Sequence, residues 1–371
     1  MTFDDFIEKK LGDLKSINQY RSLNVYGDDY LDFSSNDYLA LAKLEGKFDF
    51  SELNSKAGST GSRLITGNSK IFEDFETEIA DWKKTEAALF FGSGYLANLG
   101  AISALAGPRD VIFSDELNHS SILDGIRLSG AKKFFYPHLD TEHLETLLKQ
   151  HRSKYEKAFV ITDTVFSMQG TCADLKSIIN LKSKYDFSIY LDEAHATGTM
   201  GETGAGLYAA LVEVGEVEAD QVEVQMGTFS KACGLEGAYV AGSELLKQYL
   251  INYARTFIYS TAPSPYVVSM LRQNLKRLIN ADDKRVKLKK NVEYFRAKLE
   301  DLDIQFTNDN SSIFALLIDS NKEALKKADK LLKEKILVKA IRPPTVPEPC
   351  LRICLHSEHG FEDIDKLLSF I

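Results

Sequence analysis

Cysteine is scarce in this chain of 371 residues, which holds only Cys172, Cys233, Cys350 and Cys354. The last two form a C-x3-C pair, and no second pair completes a four-ligand zinc site, so no metal centre is expected. Packed, reduced thiols are the expectation, and they suit a cytoplasmic compartment. Long apolar runs are missing as well: none approaches the ~20 residues that span a bilayer. The opening MTFDDFIEKKLGDLK is charged throughout and reads as a short amphipathic helix, without the apolar stretch of a secretion signal. Nor is there a surplus of positive charge, with 45 basic against 54 acidic residues and a net of -9. The basic patches that grip nucleic acid or anionic membranes are therefore not expected. A small anionic substrate needs only a local arginine or lysine, so that class stays open.

Two nucleotide signatures are also absent. GTMGETGAG (198–206) contains no G-x-G-x-x-G and follows an acidic cluster rather than preceding one. GSTGSRLITGNS (58–69) lacks the G-K-[ST] ending of a phosphate-binding P-loop and is expected to be irregular. His356 and His359 form H-x-x-H without a third ligand, so a solvated loop before a helix is expected there.

What the chain does contain is a regular alternation. AALFF, DVIFS, KKFFY, KAFVITD, FSIYLDE, VQMGTF and AYVAG are short apolar runs of strand length. Helical patterns such as YLANLGAISALA, SSILDGIRLS and TEHLETLLKQH separate them. Nearly continuous apolar strands between helices imply a mainly parallel sheet buried on both faces, an α/β fold. Before it, SLNVYGDDYLDFSS (22–35) has turn residues at Gly27, Asp28 and Asp29 and reads as a hairpin. After Pro263 and Pro265 one long helical stretch from about Tyr266 to Leu299 is expected, then strands split by helices, a compact α+β unit. The expected division is 1–45 (helix and hairpin), 46–262 (large α/β domain) and 263–371 (C-terminal α+β domain). A hydrophobic fraction of 44% supplies a sizeable core for it.

Chemistry-bearing residues gather at strand ends. SIYLDEAHATG (188–198) ends its apolar run in Asp192, Glu193 and His195. The C-terminal edge of a parallel strand is where open α/β sheets bind ligands. A carboxylate there suits a metal, a ribose or a protonated ring nitrogen, and equally a helix cap. In VQMGTFSKACG (224–234), Lys231 follows a strand among small residues, as a lysine approached by a planar group would; an ordinary surface lysine has the same look. Together the two fit the requirements of pyridoxal phosphate (PLP): an amine for its imine and a carboxylate for its pyridinium nitrogen. FFGSGYLAN (90–98) adds a strand, a Gly-Ser-Gly turn and a helix start, whose exposed amides suit a phosphate or simply a tight turn. His119 precedes another helix and either stacks on an aromatic ligand or caps that helix. Arg352, inside the apolar strand CLRICLH, needs an anion: a substrate carboxylate or an internal ion pair.

In this order the motifs resemble the α-oxoamine synthase family of fold-type I PLP-dependent transferases, over nearly the whole chain. The likeness lies in DFSSNDYLALA (32–42), GSTGSRLITGN, FFGSGYLAN, NHSSILDGIRLSGA, TDTVFSMQG (162–170), LDEAHATGTMGETGAGL and GTFSKACG. AIRPPTVPEPCLRICLHSEH (340–359) resembles the branch of the family that condenses L-alanine with a pimeloyl thioester in biotin synthesis. The resemblance implies that Lys231 holds the cofactor and moves the proton at the substrate Cα, with Asp192 on the pyridinium nitrogen. It implies that His119 stacks on the ring and that His195 and Ser167 address its phenolic oxygen. Ser93, Gly94, Tyr95 and Thr228 are implied for the phosphate, with Thr261 reaching that of a partner subunit in a homodimer. Asn36 and Arg352 are implied for the amino acid, and Arg21 for the far carboxylate of the acyl chain. Coenzyme A or an acyl-carrier protein would carry the acyl group, and sister enzymes use glycine or serine instead. Gln169, Ala173, Cys233, Glu236 and Pro349 depart from the family's usual residues.

Overall fold

The computed structural model of the chain describes residues 1–43, 47–51, 53 and 57–371, so the boundary expected between 45 and 46 lies outside the described residues. Its centre is a seven-stranded sheet. In spatial order the strands are Ala87–Phe91, Ala238–Gly242, Val224–Thr228, Ser188–Asp192, Ala158–Asp163, Val111–Asp115 and Lys132–Tyr136. All seven apolar runs read from the sequence are strands of this sheet. Those from Val224–Thr228 outward pair in parallel, and most are buried along their whole length because helices cover both faces. Lys132–Tyr136 is the exception: it closes the edge and turns Lys132, Lys133 and Phe135 outward. Lysines on an edge strand discourage pairing with another chain.

One strand runs the other way. Ala238–Gly242 is antiparallel to both neighbours. The reason is the length of its connection. A parallel return needs a crossover of about a dozen residues or more, whereas residues 229–237 fold straight back. Lys231 lies in that short return, so the reversal holds it at the sheet's edge instead of on a crossover helix.

The chain after Pro263 builds a second, four-stranded antiparallel sheet in the order Lys339–Ile341, Cys350–Cys354, Ile313–Leu317 and Phe306–Thr307. The single long helix expected before it is two, Pro265–Ile279 and Asp282–Asp301. Arg285, in the first turn of the second helix, donates to the carbonyls of Leu278 (2.7 Å) and Ile279 (2.9 Å). It thereby satisfies the terminal acceptors of the first helix, while Asp282 and Asp283 favour a new N-terminus.

Two further expectations are corrected. Residues 22–35 form no hairpin. Leu31–Asp32 is the strand there, and it pairs in parallel with Ile336–Leu337. Leu23 and Val25 are fully exposed, so the alternation had no apolar face to bury, and an isolated two-stranded hairpin is marginal in water. GSTGSRLITGNS is not wholly irregular, because Arg63–Gly67 makes one π-turn. Arg63 folds inward to pair with buried Glu76 and lies over the Phe72 ring at 4.7 Å. Among the described residues, no helix is long and apolar enough to cross a bilayer, and no cluster of side chains is arranged to hold a metal.

Candidate active site

The parallel register sets Asp163 beside Asp192, and Asp192 beside Met226, so neighbouring strands end level with one another. These ends open into a cavity of about 240 Å³ lined by Ser93, Gly94, His119, Asp192, His195 and Lys231, together with Asn98, Asp163, Thr228 and Ser230. Eight of the residues picked out separately along the sequence, the six named first with Tyr95 and Thr228, therefore meet in one place.

Asp192 is buried and held at both oxygens. Oδ1 accepts the Ala194 amide at 2.9 Å, and Oδ2 accepts Asn98 Nδ2–H at 2.7 Å. Asn98 is fixed in turn: its carbonyl accepts the Tyr190 hydroxyl at 2.8 Å, and Nδ2 also donates to Ser121 Oγ at 2.9 Å. The two donors fix the orientation of this carboxylate. Asp163, next to it, has its pKa raised well above the carboxylate range, first by burial and then by the charge of Asp192. Burial beside a second carboxylate thus holds Asp163 toward its protonated form.

Lys231 is carried on the return 229–237, pinned by the buried ring of Phe229, which packs on Phe75 and Tyr239 at 5.3 Å each. Gly234 sits at φ +72°, and a side chain there would press against the backbone of Ala42. Burial draws the Lys231 pKa down to about 8, opposed by Asp192 and Asp163 and assisted by Arg352. Near neutral pH a useful fraction of this amine is uncharged, as a nucleophile or proton acceptor requires.

On the cavity's other side, Ser93 caps the helix Gly94–Leu105, its hydroxyl accepting the Leu96 amide at 3.3 Å. The first amides of a helix have no intrahelical acceptor. Those of Gly94 and Tyr95 thus border the cavity beside Thr228 and Ser230, whose hydroxyls share a hydrogen bond of 2.8 Å. Amides at a helix start with paired hydroxyls make a phosphate cradle.

Of the two readings of His119, the helix cap is formed. His119 caps the helix Ser120–Ser129, with Nδ1 facing Ser121 Oγ at 2.7 Å, and it lines the cavity. Its backbone N–H donates to Asp163 Oδ2 at 2.7 Å. Burial lowers its pKa, as does the Lys231 charge, against the pull of Asp192, so its face is that of a neutral ring. His195 Nδ1 lies 2.6 Å from the Tyr38 hydroxyl, and its pKa falls well below the ordinary value, mainly through burial.

Other sequence candidates lie outside the cavity lining. Arg352 is buried, with Nε donating to the Ser167 carbonyl at 2.6 Å and Nη2 to Asn36 Oδ1 at 2.9 Å. Among the described residues it has no carboxylate partner, so the internal ion pair is not formed. Ser167 reaches Arg352 through this carbonyl and is not among the residues that line the cavity. Thr261 is exposed, and Arg21 borders a separate cleft of about 640 Å³ with Leu11, Met168 and Arg342. His356 and His359 do not form a solvated loop. Their rings stack at 3.4 Å, and His359 stacks on Phe33, its pKa pushed down to about 3 by burial and by His356. All four cysteines are free.

Four lining or supporting residues escaped the sequence reading: Asn98, Asp163, Tyr38 and Ser230. Asp163 closes its strand just as Asp192 closes the next, and the same rule would have found it. Asn98 stands a turn inside a helix, where nothing local marks it.

This fold and donor set define a class. A family model for class I and II aminotransferases matches residues 28–371, and the chain belongs to that family, with the fold-type I architecture of PLP-dependent transferases. The 8-amino-7-oxononanoate synthase of Lysinibacillus sphaericus is 43% identical over 352 residues, 93% of this chain and 88% of that protein. The chain therefore belongs to the 8-amino-7-oxononanoate synthase family. Among solved structures, the 8-amino-7-oxononanoate synthase of Francisella tularensis superposes with a TM-score of 0.78 at 30% identity, covering 93% of this chain and 97% of that one. A serine palmitoyltransferase solved with a PLP internal aldimine gives 0.86 at 25% identity, covering 99% and 96%.

Proposed function

We propose that the chain is a PLP-dependent C-acyltransferase that condenses L-alanine with a pimeloyl thioester. The products are 8-amino-7-oxononanoate, carbon dioxide and the free thiol, a step of biotin synthesis. One observation carries this reading: the lowered-pKa amine of Lys231, the doubly anchored carboxylate of Asp192 and the Gly94 helix start all line one cavity. The relatives' names support the choice of substrates.

The residues present fit the cofactor. Lys231 Nζ would bond its aldehyde carbon, Asp192 would hold its pyridinium nitrogen, and Gly94, Tyr95, Thr228 and Ser230 would take its phosphate. When bound, PLP supplies an electron sink that makes the substrate Cα–H acidic enough to ionise. Lys231, with a pKa of about 8, is matched to accept that proton and return it at working pH. His119 presents a neutral ring face to the cavity. Arg352, already turned by Ser167 and Asn36, offers its guanidinium to the alanine carboxylate.

A cytoplasmic homodimer is part of this reading. The exposed Thr261 and the helix Phe3–Ser16, which buries no residue in the single chain, both suit a covering subunit. Sister synthases that use glycine or serine share the architecture, so the amino acid is what the experiment must separate. Purified protein with PLP is assayed for thiol release with L-alanine, glycine and L-serine against acyl thioesters of graded length, carried on coenzyme A or on acyl-carrier protein. Turnover is expected with L-alanine and the pimeloyl group. Turnover with glycine or serine alone would overturn the assignment.

A further inference from the structure

Tyr38 lies outside the roles assigned so far, yet its hydroxyl is buried in the site's polar network. Two polar atoms lie within its reach, His195 Nδ1 at 2.6 Å and the acceptor Asn36 Oδ1 at 3.1 Å. A phenol has one proton to give. Asn36 Oδ1 is already occupied by Arg352 Nη2 at 2.9 Å, and the distance to the imidazole is the shorter of the two.

We propose that Tyr38 is a positioning residue that donates its proton to His195 Nδ1 and so fixes His195 as the Nε2–H tautomer, with that N–H offered to the cofactor cavity. A neutral imidazole carries its single proton on one nitrogen, and the bond made by the other decides which. With Nδ1 accepting from Tyr38, Nε2 becomes a donor, the form needed to meet an anionic oxygen on a bound ring. If Nδ1 carried the proton, Nε2 would present a lone pair to that oxygen and repel it.

The surroundings hold both partners in the required states. Burial raises the Tyr38 pKa far above any working pH, so its proton is always available. The groups facing His195 are Tyr38 from the segment after Asp32, Arg352 from the strand Cys350–Cys354, Lys231 from the 229–237 return and His119 from a helix start. Burial first, then the positive charges of Lys231, Arg352 and His119, disfavour an imidazolium. His195 is therefore neutral, and only its tautomer remains to be chosen. Part of this inference, the oxygen that Nε2–H meets, rests on the PLP reading. The tautomer itself does not.

The test has two arms. In the cofactor-free protein labelled with 15N-histidine, the His195 signals are identified by their loss in His195→Gln. The wild type is expected to show a protonated Nε2 and a bare Nδ1, and Tyr38→Phe to lose that bias. In the PLP-loaded protein without substrate, the pH midpoint of the visible absorbance band is followed. Losing one donor to the ring oxygen should move it upward in Tyr38→Phe by roughly half to one unit, the equivalent of one neutral hydrogen bond. A protonated Nδ1 in the wild type overturns the proposal. So does a Tyr38→Phe protein that only melts earlier, with the tautomer and midpoint unchanged, because that is a purely structural role. Should Tyr38→Phe fail to fold, the wild-type tautomer decides. Should PLP fail to bind, the functional reading falls, while the 15N signals of the cofactor-free protein still settle the tautomer.

Discussion

Asn98→Ala is the most informative single change, because Asn98 links the Tyr190 hydroxyl to Asp192, the carboxylate proposed to meet the cofactor. Truncation removes the 2.7 Å donor to Asp192 Oδ2 and strips the buried Tyr190 hydroxyl of its 2.8 Å acceptor. A hydrogen bond to a charged group contributes about 1.5–3 kcal/mol, and a buried unsatisfied donor costs about 1–3 kcal/mol. The two sum to roughly 2.5–6 kcal/mol, and water admitted to the vacated space recovers part of it. The consequence divides into two readouts. The Tyr190 term appears as a lower Tm of the cofactor-free protein. The Asp192 term appears as weaker PLP binding, since a carboxylate anchored only by the Ala194 amide is free to rotate. A loss of about 1.5–3 kcal/mol corresponds to roughly a tenfold to hundredfold rise in Kd. Absorbance titration with PLP gives the Kd, and thermal melting of the same samples gives the stability. Ser121→Ala is the comparison: it removes a neutral partner of both Asn98 and His119 Nδ1 but leaves both donors to Asp192 in place. If Asn98→Ala melts early yet binds PLP as the wild type does, Asn98 does not orient Asp192 and the reasoning fails.

The buried pair of Lys83 and Glu193, 2.6 Å apart and without solvent access, anchors the loop that follows Asp192. Glu193→Gln strands the lysine charge and should cost about 3–5 kcal/mol, measured by denaturant unfolding; a double change to apolar residues should recover much of that. Lys231, with its pKa at about 8 against an ordinary 10.5, keeps fewer protons folded than unfolded between those values. Stability of the cofactor-free protein should therefore rise as pH increases from about 8 to 10.5, by roughly 2–3 kcal/mol, and this gain should vanish in Lys231→Met. Arg352→Lys loses the planar fork held by Ser167 and Asn36. It should raise KM for L-alanine roughly tenfold or more with little change in KM for the thioester, as steady-state kinetics would show.

The legible parts of this protein were those whose causes are local. Seven apolar runs bounded by polar turns became seven strands, because burial on both faces writes itself as continuous hydrophobicity. Asp192 and Lys231 could be picked out because strand ends and small-residue neighbours are visible in one dimension. The helix break after Ile279 could not be seen, since it depends on Arg285 reaching back to two carbonyls. The supposed hairpin at 22–35 failed for a related reason: Leu31–Asp32 found its partner at Ile336–Leu337, some three hundred residues away. Asn98, Tyr38 and the stacked His356–His359 pair take their roles from side chains that meet only after folding. Their neighbours in sequence say nothing about them.

The central claim is that Lys231 is the residue that bonds PLP. The direct measurement is to load the protein with PLP, reduce it with borohydride, digest it and map the added pyridoxyl mass. A single labelled peptide spanning Lys231 is expected, with no label in Lys231→Ala. Label on another lysine, or none at all, would contradict the claim.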